Sequence, residues 1–373
     1  MTVRLKLSSR GCSLKLAFTS LLLVAHVVQA DKLDDFIVAA MEKRHIAGLS
    51  LAVIQDGQIA RAQAYGLADR NSKVPVTTNT LFQAGSISKS VAAVGALHLV
   101  EKGQLALDDD VNRKLASWKV PENEFTKGQK VTLRRILSHS AGLTVHGFPG
   151  YAQGKPVPTL VQVLDGVEPA NTRPIRVDLI PGSKFRYSGG GYTVMQQMIN
   201  ERTGKPFPDY MQETVLNPFG MTNSTFEQPL PAGRVPLAAI GYYEETKPVE
   251  GGWHIYPEMA AAGLWTTAAD LARFAIGLQQ ARAGRTNGVI SQAMTQQMLS
   301  EQSEHDGLGL FLEGKGKALR FRHAGRDEGF DAELVAYAET GQGGVVMINA
   351  NDNRDGIRVV LEAVAHAYHW PDF

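Results

Sequence analysis

The spacing of apolar residues predicts strands at both ends of the chain and helices in its middle. From Leu33 to Arg44 apolar and charged residues recur at helical spacing, which predicts an amphipathic helix. The apolar runs Gly48–Gln55 and Gln58–Tyr65 are joined by Asp56-Gly57, a dipeptide typical of tight β-hairpins. This part of the chain therefore predicts a helix followed by a hairpin.

Helical spacing dominates the centre of the chain. The run Val91–Val100 is apolar on nearly every side, which indicates a buried helix that begins near Ser86. Between Gly147 and Lys184 the chain is rich in Pro and Gly and has little periodicity, and loops of that length are often functional. Further helices are predicted at Thr132–Leu137, Tyr192–Arg202, Phe207–Val215, Ala268–Gln280 and Ser291–Ser300.

Strand patterns return near the end of the chain, at Gly307–Leu312, Ala332–Tyr337 and Gly344–Asn349, before a last helix at Ile357–His369. Two strand-rich ends around a helical middle are explained if the ends share one sheet and the middle is an insertion. The helix after Ser86 would then lie where the two parts meet, which is where clefts usually form.

The first thirty residues have the pattern of a secretory signal peptide. Four basic side chains accompany the apolar stretch Leu16–Val28, and Val28-Gln29-Ala30 is a small-residue cleavage site. We expect cleavage before Asp31 and export to the periplasm or the medium. The alternative is an uncleaved membrane anchor, for which the apolar run is short.

Composition and charge restrict the class of protein. With 373 residues, of which 44% are hydrophobic, the chain can form one large unit or two domains with ample core. Loss of residues 1–30 removes four positive charges and no negative one, so the formal net charge changes from +1 to −3. Neither a nucleic-acid partner nor a membrane span in the mature protein is expected. Cys12 is the only cysteine and leaves with the signal peptide, which argues against a disulfide, thiol catalysis or a cysteine-bound metal.

Ser86 and Lys89 are the first candidates for chemistry. On a helix that starts near Ser86 the two side chains lie on one face, about one turn apart. A hydroxyl at the positive end of a helix with an amine beside it suits a serine nucleophile activated by lysine. Burial disfavours the ammonium form and makes such a lysine a usable base. The motif S-x-x-K is weak alone, but Ser86 is the only serine with a lysine three residues later.

Two later stretches add candidates. Tyr187 precedes a run of glycines, and near Lys89 its hydroxyl would ionise more easily and act as a base. His323 offers a proton donor, and Gly325 would let the backbone approach a substrate. Taken singly, the tyrosine is better explained by packing on a surface loop, and the histidine by a structural role.

In this order the three stretches resemble the serine β-lactamase-like superfamily, which includes class C β-lactamases, D-alanyl-D-alanine carboxypeptidases, D-aminopeptidases and family VIII carboxylesterases. The signature S-x-x-K is Ser86-Ile87-Ser88-Lys89, Y-x-N stands as Tyr187-Ser188-Gly189, and [K/H]-[T/S]-G stands as His323-Ala324-Gly325. Leu137–Leu143 and Ala261–Leu271 match two further stretches of the family, so the likeness covers nearly the whole mature chain.

The resemblance implies a β-lactamase/transpeptidase-like α/β (α+β) fold. An antiparallel sheet is built from both chain ends and flanked by helices, and a mostly helical domain is inserted. Residues 31–80 and about 255–373 would form the α/β part, and residues about 81–254 the helical part.

The resemblance also implies the roles of the site residues. Ser86 attacks a carbonyl to form an acyl-enzyme, and Lys89 and Tyr187 move its proton. The backbone N–H groups of Ser86 and Arg326 form the oxyanion hole. Neither a metal nor a cofactor is required. His323, Gly189 and Trp265 are candidate catalytic or substrate-binding residues. Trp265 would also line the cleft, together with Tyr151 and Trp253. For Trp265, core packing is an equally good explanation.

Two departures from the family pattern influence the choice of substrate. Gly189 replaces the asparagine that helps to bind a substrate amide, and Ala324 replaces the hydroxyl residue that helps to bind a substrate carboxylate. The side chain of Arg326 is a candidate replacement for that carboxylate contact. The sequence therefore favours a carboxylesterase-like or broad acyl hydrolase that takes small esters, amides or peptides. A D-alanyl-D-alanine carboxypeptidase, a D-aminopeptidase and a slow β-lactamase are the alternatives.

Three rival classes stay open. Ser138-His139-Ser140-Ala141-Gly142 nearly matches the nucleophile elbow of α/β-hydrolases, but the first glycine is missing. A penicillin-sensing or cell-wall-binding module would be acylated and never turn over. A zinc hydrolase is disfavoured because the histidines lack paired-ligand spacing.

Overall fold

The computed structural model describes residues 32–243, 247–286 and 288–373. The predicted signal peptide, residues 1–30, and its cleavage site lie outside the described residues.

One seven-stranded antiparallel sheet joins the two ends of the described chain. Its strands are β1 (Gly48–Gln55), β2 (Gln58–Asp69), β3 (Val74–Pro75), β8 (Phe311–Glu313), β9 (Arg320–Asp327), β10 (Phe330–Tyr337) and β11 (Gly343–Ile348). The strand order is β3-β2-β1-β11-β10-β9-β8, and β1 pairs with β11 so that Leu49 lies opposite Ile348. This topology confirms a sheet built from both chain ends. The limits near residues 81 and 254 that divide the two parts stay predictions.

The remaining strands form two short pairs: β4 (Phe82–Gln83) with β7 (Trp265–Thr266), and β5 (Tyr151–Ala152) with β6 (His254–Ile255). The helices are α1 (residues 32–43), α2 (Ile87–Glu101), α3 (Leu133–Leu137), α4 (Leu160–Asp165), α5 (Gly189–Thr203), α6 (Phe207–Met211), α7 (Met259–Ala262), α8 (Ala268–Arg282), α9 (Gln292–Met298) and α10 (Arg354–Ala367). A π-helical turn, Gln212–Leu216, continues α6.

The sheet separates two hydrophobic cores. Alternate residues of β1 point to opposite faces, because side chains along a strand have a period of two. Leu51 and Val53 belong to the core under α1 and α10, and Ala52 belongs to the larger core that contains α2, α5 and α8. The helices α2, α5 and α8 therefore pack on one face of the sheet. The start of α2 lies beside the end of β9.

The structure differs from the sequence prediction most clearly near residue 310. The predicted strand Gly307–Leu312 is wrong for its first residues, since the strand there is only Phe311–Glu313. Leu308 and Gly309 instead turn back, with their N–H groups donating to Met298 O and Leu137 O. The strand Arg320–Asp327 has no counterpart among the predicted elements. Its inward positions carry Phe, His, Gly and Asp, which conceals the apolar alternation.

Candidate active site

Ser86 stands at the start of a helix that is buried along most of its length. It occupies the N-cap position of α2, and every residue from Ile87 to Leu97 is buried. Small side chains make this possible, because alanine and valine let neighbouring helices approach on all sides. Ser86 itself is partly exposed, so its hydroxyl lies at a surface while the helix behind it is fixed.

Lys89 lies one turn later and faces Ser86. Its Nζ is 2.9 Å from Ser86 Oγ and donates to the carbonyl oxygen of Ala261 at 2.8 Å. The side chain is 1% exposed. Burial lowers the pKa of Lys89 to about 7, and the negative charge of Asp327 opposes that shift. At neutral pH a large fraction of this amine is therefore free of its extra proton.

Tyr187 completes a three-residue cluster. Its hydroxyl is close enough to the side chain of Ser86 for that side chain to lower its pKa against burial, and Lys89 Nζ lies 5.0 Å from the centre of its ring. The sequence predicted that Lys89 would make this hydroxyl easier to ionise. That prediction is wrong, because burial raises the pKa of Tyr187 above its ordinary value. Tyr187 is therefore a neutral hydroxyl that can accept and return a proton, and it is not a standing phenolate.

His323 lies on the face of β9 that points to this cluster, with its ring centre 6.2 Å from that of Tyr187. Its Nδ1 is 2.7 Å from Ala324 O, so Nδ1 carries the proton and donates, because a carbonyl only accepts. Nε2 is buried and has no hydrogen-bond partner among the described residues. Burial and the charge of Lys89 lower the pKa of His323 to about 3. The expected proton donor is thus a neutral ring that presents a lone pair at Nε2.

The end of β9 and the turn before Ser86 are in unusually close backbone contact. A Cβ on Gly325 would lie 1.9 Å from Ala84 O and 3.3 Å from Ser86 N. A Cβ on Gly85, whose φ is +51°, would lie 2.4 Å from Arg326 N. Only glycine fits at these two positions, and the backbone N–H groups of Ser86 and Arg326 are brought to the same place. That these two N–H groups form an oxyanion hole stays a prediction.

The Arg326 side chain does not take part in this arrangement. Alternate residues of β9 point to opposite faces, and the guanidinium forms ion pairs with Asp331 and Asp352. The prediction that it replaces a carboxylate contact is therefore wrong. Ala324 lies on the same outward face, where it lines a cavity of about 390 Å³ beside α10.

Gly189 and Trp265 are buried and take structural positions. A Cβ on Gly189 would lie 3.0 Å from both His146 O and the ring of Phe148, so the chain at residues 146–148 covers this glycine. Trp265 is fully buried, with its ring 5.3 Å from that of Trp253. Tyr151 and Trp253 are buried as well. The prediction that Tyr151, Trp253 and Trp265 line an open cleft is wrong because all three are buried, and core packing, the alternative explanation for Trp265, accounts for it.

Sequence reasoning missed several groups that surround the cluster. The rings of His139 and His146 lie 4.1 and 4.7 Å from the ring of Tyr187. Asp327 is buried beside Gly85, and burial raises the pKa of this carboxyl well above its ordinary value, against the opposite effects of the Lys89 charge and of the Gly85 backbone N–H. Burial and the charge of Lys89 lower the pKa of His146 and of His323, and the positive charge of Arg354, at the start of α10, adds a smaller effect in the same direction. Two of these groups had a sequence signal that was not used: His139 lies within Leu137–Leu143, which matches a stretch of the family, and Asp327 directly follows Arg326.

The rival sites have a different structural context. Ser140 Oγ lies 3.0 Å from Ser138 Oγ in the turn after α3, and the sheet is antiparallel, unlike that of an α/β-hydrolase. Within the described residues no cluster of three or more His, Cys, Asp or Glu side chains is arranged to hold a metal ion. Across the same part of the chain, no helix combines the length and apolar character needed to cross a membrane.

An antiparallel sheet from both chain ends, with Ser-x-x-Lys at the start of a buried central helix, defines a β-lactamase/transpeptidase-like protein. A model of the family described as Beta-lactamase matches residues 33–367. Because this match covers most of the chain, the protein belongs to the Beta-lactamase family.

Named relatives of the chain differ in activity. A β-lactamase of Pseudomonas fluorescens is 29% identical over 246 residues, which are 65% of this chain and 62% of that protein. Esterase EstB of Burkholderia gladioli is 29% identical over 206 residues, 53% of this chain and 51% of the esterase. The octameric penicillin-binding protein homologue from Pyrococcus abyssi superposes with a TM-score of 0.74 at 25% identity, covering 90% of this chain and 77% of its own. The chain thus spans less than two thirds of the length of these two sequence relatives.

Proposed function

We propose that the protein is a serine hydrolase that cleaves small carboxylic esters through an acyl-enzyme on Ser86. The observation that carries this proposal is the 2.9 Å separation of Lys89 Nζ from Ser86 Oγ, with burial lowering the pKa of the amine to about 7. A base with a pKa near the working pH is the most effective proton acceptor.

In the proposed reaction the free amine of Lys89 takes the proton of Ser86 as Oγ attacks the ester carbonyl. The Ser86 and Arg326 N–H groups stabilise the negative charge on the carbonyl oxygen, an interaction typically worth ~3 kcal/mol per donor. The ammonium of Lys89 returns the proton to the leaving alcohol, with the neutral Tyr187 hydroxyl as the bridge. Water then attacks the acyl group, gives its proton to Lys89, and Ser86 is released with that proton.

Features around the cluster support esters over amides and carboxylate-bearing substrates. Gly189 offers no side-chain amide, and the space beside it is filled by Phe148. His323 is neutral, where a lysine would attract a substrate carboxylate. The esterase relative from Burkholderia gladioli supports the same reading.

One observation favours a second candidate function. The charge of Arg354 is close enough to influence Tyr187, His146 and His323. Arg354 also lines the cavity of about 390 Å³ that Ala324 lines, where its charge suits an anionic substrate, such as a peptide with a free carboxylate or a β-lactam. A D-alanyl-D-alanine carboxypeptidase, a D-aminopeptidase or a slow β-lactamase is therefore the second candidate.

Hydrolysis of p-nitrophenyl butyrate by residues 31–373, with Ser86→Ala measured beside it, tests the proposal. We expect turnover by the unmodified protein and a loss of about 10³-fold or more in the variant. Ser140→Ala is the matched control and should retain turnover. Equal turnover in Ser86→Ala would refute the proposal, and turnover of D-alanyl-D-alanine peptides alone would favour the second candidate.

We further propose that the protein is exported to the periplasm or the medium. The basic start, the apolar stretch Leu16–Val28 and the small-residue site before Asp31 support this. N-terminal sequencing of the protein from intact producing cells should begin at Asp31, whereas a chain that keeps Met1 would contradict export by cleavage.

A further inference from the structure

His139 contacts the segment that carries Tyr187 in three different ways. Its carbonyl oxygen accepts from Arg186 N at 2.7 Å, and its Nδ1 accepts from Ser188 N at 3.1 Å. Its ring lies against the ring of Tyr187, with centres 4.1 Å apart and planes tilted by 31°. His139 therefore contacts Tyr187 itself and the residue on each side of it.

The state of the His139 ring follows from these contacts. Because Nδ1 accepts a backbone N–H, the ring proton is on Nε2. Burial, with the charge of Lys89, lowers the pKa of His139 well below its ordinary value, so the ring is neutral and Nδ1 keeps its lone pair. A protonated ring would present a donor to Ser188 N and break this contact.

The backbone of His139 is itself constrained. Its φ is +51°, a left-handed conformation that a histidine rarely adopts. The flanking turn is fixed by Ser138 Oγ, which donates to Arg134 O at 2.9 Å, and by Ser140 N, which donates to Arg135 O at 2.8 Å. Strained backbone persists only where the surrounding structure determines it, and such positions cluster at functional sites.

We propose that His139 is a positioning residue that holds the Tyr187 hydroxyl against Ser86, through its ring face and its Nδ1 acceptor. This inference rests on the proposed function of the Ser86 cluster. It gives a specific role to a histidine that lies 49 residues before Ser188, whose backbone N–H its Nδ1 accepts.

Two amides that differ by one methylene test the role of Nδ1. In His139→Asn the side-chain oxygen takes the place of Nδ1, and asparagine tolerates a positive φ. In His139→Gln the oxygen reaches the place of Nε2 and leaves Ser188 N without its acceptor. We expect kcat for p-nitrophenyl butyrate to fall by about tenfold in the Gln variant and by less than about fivefold in the Asn variant, with KM changed less than about twofold.

The same substitutions in a Tyr187→Phe background separate positioning from general stability. If His139 acts through the Tyr187 hydroxyl, His139→Gln costs less than about twofold in kcat once that hydroxyl is gone. Equal losses in both backgrounds, or equal losses in Asn and Gln, would overturn the inference. Melting temperatures of all variants identify losses of kcat that are due to unfolding. Such losses would be equal in both backgrounds and would also count against the inference. Full activity in Ser86→Ala, by contrast, would overturn the proposed function itself.

Discussion

The amine of Lys89 lies 2.9 Å from the hydroxyl oxygen of Ser86, at the end of a helix whose neighbours exclude water. Exclusion of water is what lowers the pKa of the amine, and helix geometry is what fixes its distance from the nucleophile. The reactivity of Ser86 is thus a consequence of the same apolar packing that stabilises α2.

The first prediction concerns pH. We expect kcat/KM for a neutral ester to rise with pH and to reach half its limiting value near pH 7, because the ammonium form of Lys89 cannot accept the Ser86 proton. His323, with its pKa lowered to about 3, stays neutral through this range. The measurement is a pH–rate profile from about pH 5 to pH 9.

His146 supplies the control for that profile, since burial and nearby positive charges lower its pKa as well. The limb near pH 7 should persist in His146→Gln. If kcat/KM of the parent protein did not change with pH, or if its rise near pH 7 were absent in His146→Gln, Lys89 would not be the titrating base.

The second prediction concerns Tyr187. We expect Tyr187→Phe to lower kcat for p-nitrophenyl butyrate by about 10²-fold, because it removes the hydroxyl that bridges Ser86 and the leaving group while keeping the ring. Steady-state kinetics of purified variants measure it. Tyr192→Phe is the matched control, since that hydroxyl donates to Leu137 O at 3.1 Å, away from Ser86. An unchanged kcat in Tyr187→Phe would remove the tyrosine from the mechanism.

The third prediction concerns the contact between β9 and the turn before Ser86. Gly325→Ala would place a Cβ 1.9 Å from the backbone oxygen of Ala84, which cannot rotate away. We expect a loss of about 2–4 kcal/mol in the free energy of unfolding, together with most of the activity. Urea unfolding measures the first quantity. Gly128→Ala, where the new Cβ meets nothing within 4 Å, should cost less than ~0.5 kcal/mol.

The fourth prediction separates two arginines. Arg354→Met should raise KM for an ester that carries a carboxylate by about threefold or more and leave KM for a neutral ester unchanged, because its charge acts on the cluster. Arg326→Met should leave both KM values within about twofold, because that guanidinium pairs with Asp331 and Asp352. Paired kinetics on a neutral and a carboxylated ester decide between them, and the reverse pattern would restore Arg326 as the anion contact.

The parts of the site that are local in sequence were predictable. Helical periodicity fixes the spacing of Ser86 and Lys89, and the apolar run after them indicates burial, so the altered pKa of the lysine could be anticipated. The sheet shared by both chain ends followed from the two regions of strand pattern.

The parts that depend on distant packing were not predictable. The strand β9 was missed because its inward positions are held by site residues such as His323 and Asp327, which break the apolar alternation. The shift in the pKa of Tyr187 was predicted with the wrong sign, since the charge of Lys89 was considered and burial was not. His139 carries no local signal for its contact with Ser188, because the two residues meet only through the fold.

The central claim is that Ser86 becomes acylated during turnover. Rapid acid quenching of the protein with p-nitrophenyl butyrate, followed by intact mass and peptide mass spectrometry, tests it most directly. The account predicts one added butyryl group on the peptide that contains Ser86, no adduct in Ser86→Ala, and disappearance of the adduct as substrate is exhausted. An adduct on another residue, or steady turnover in Ser86→Ala, would contradict it.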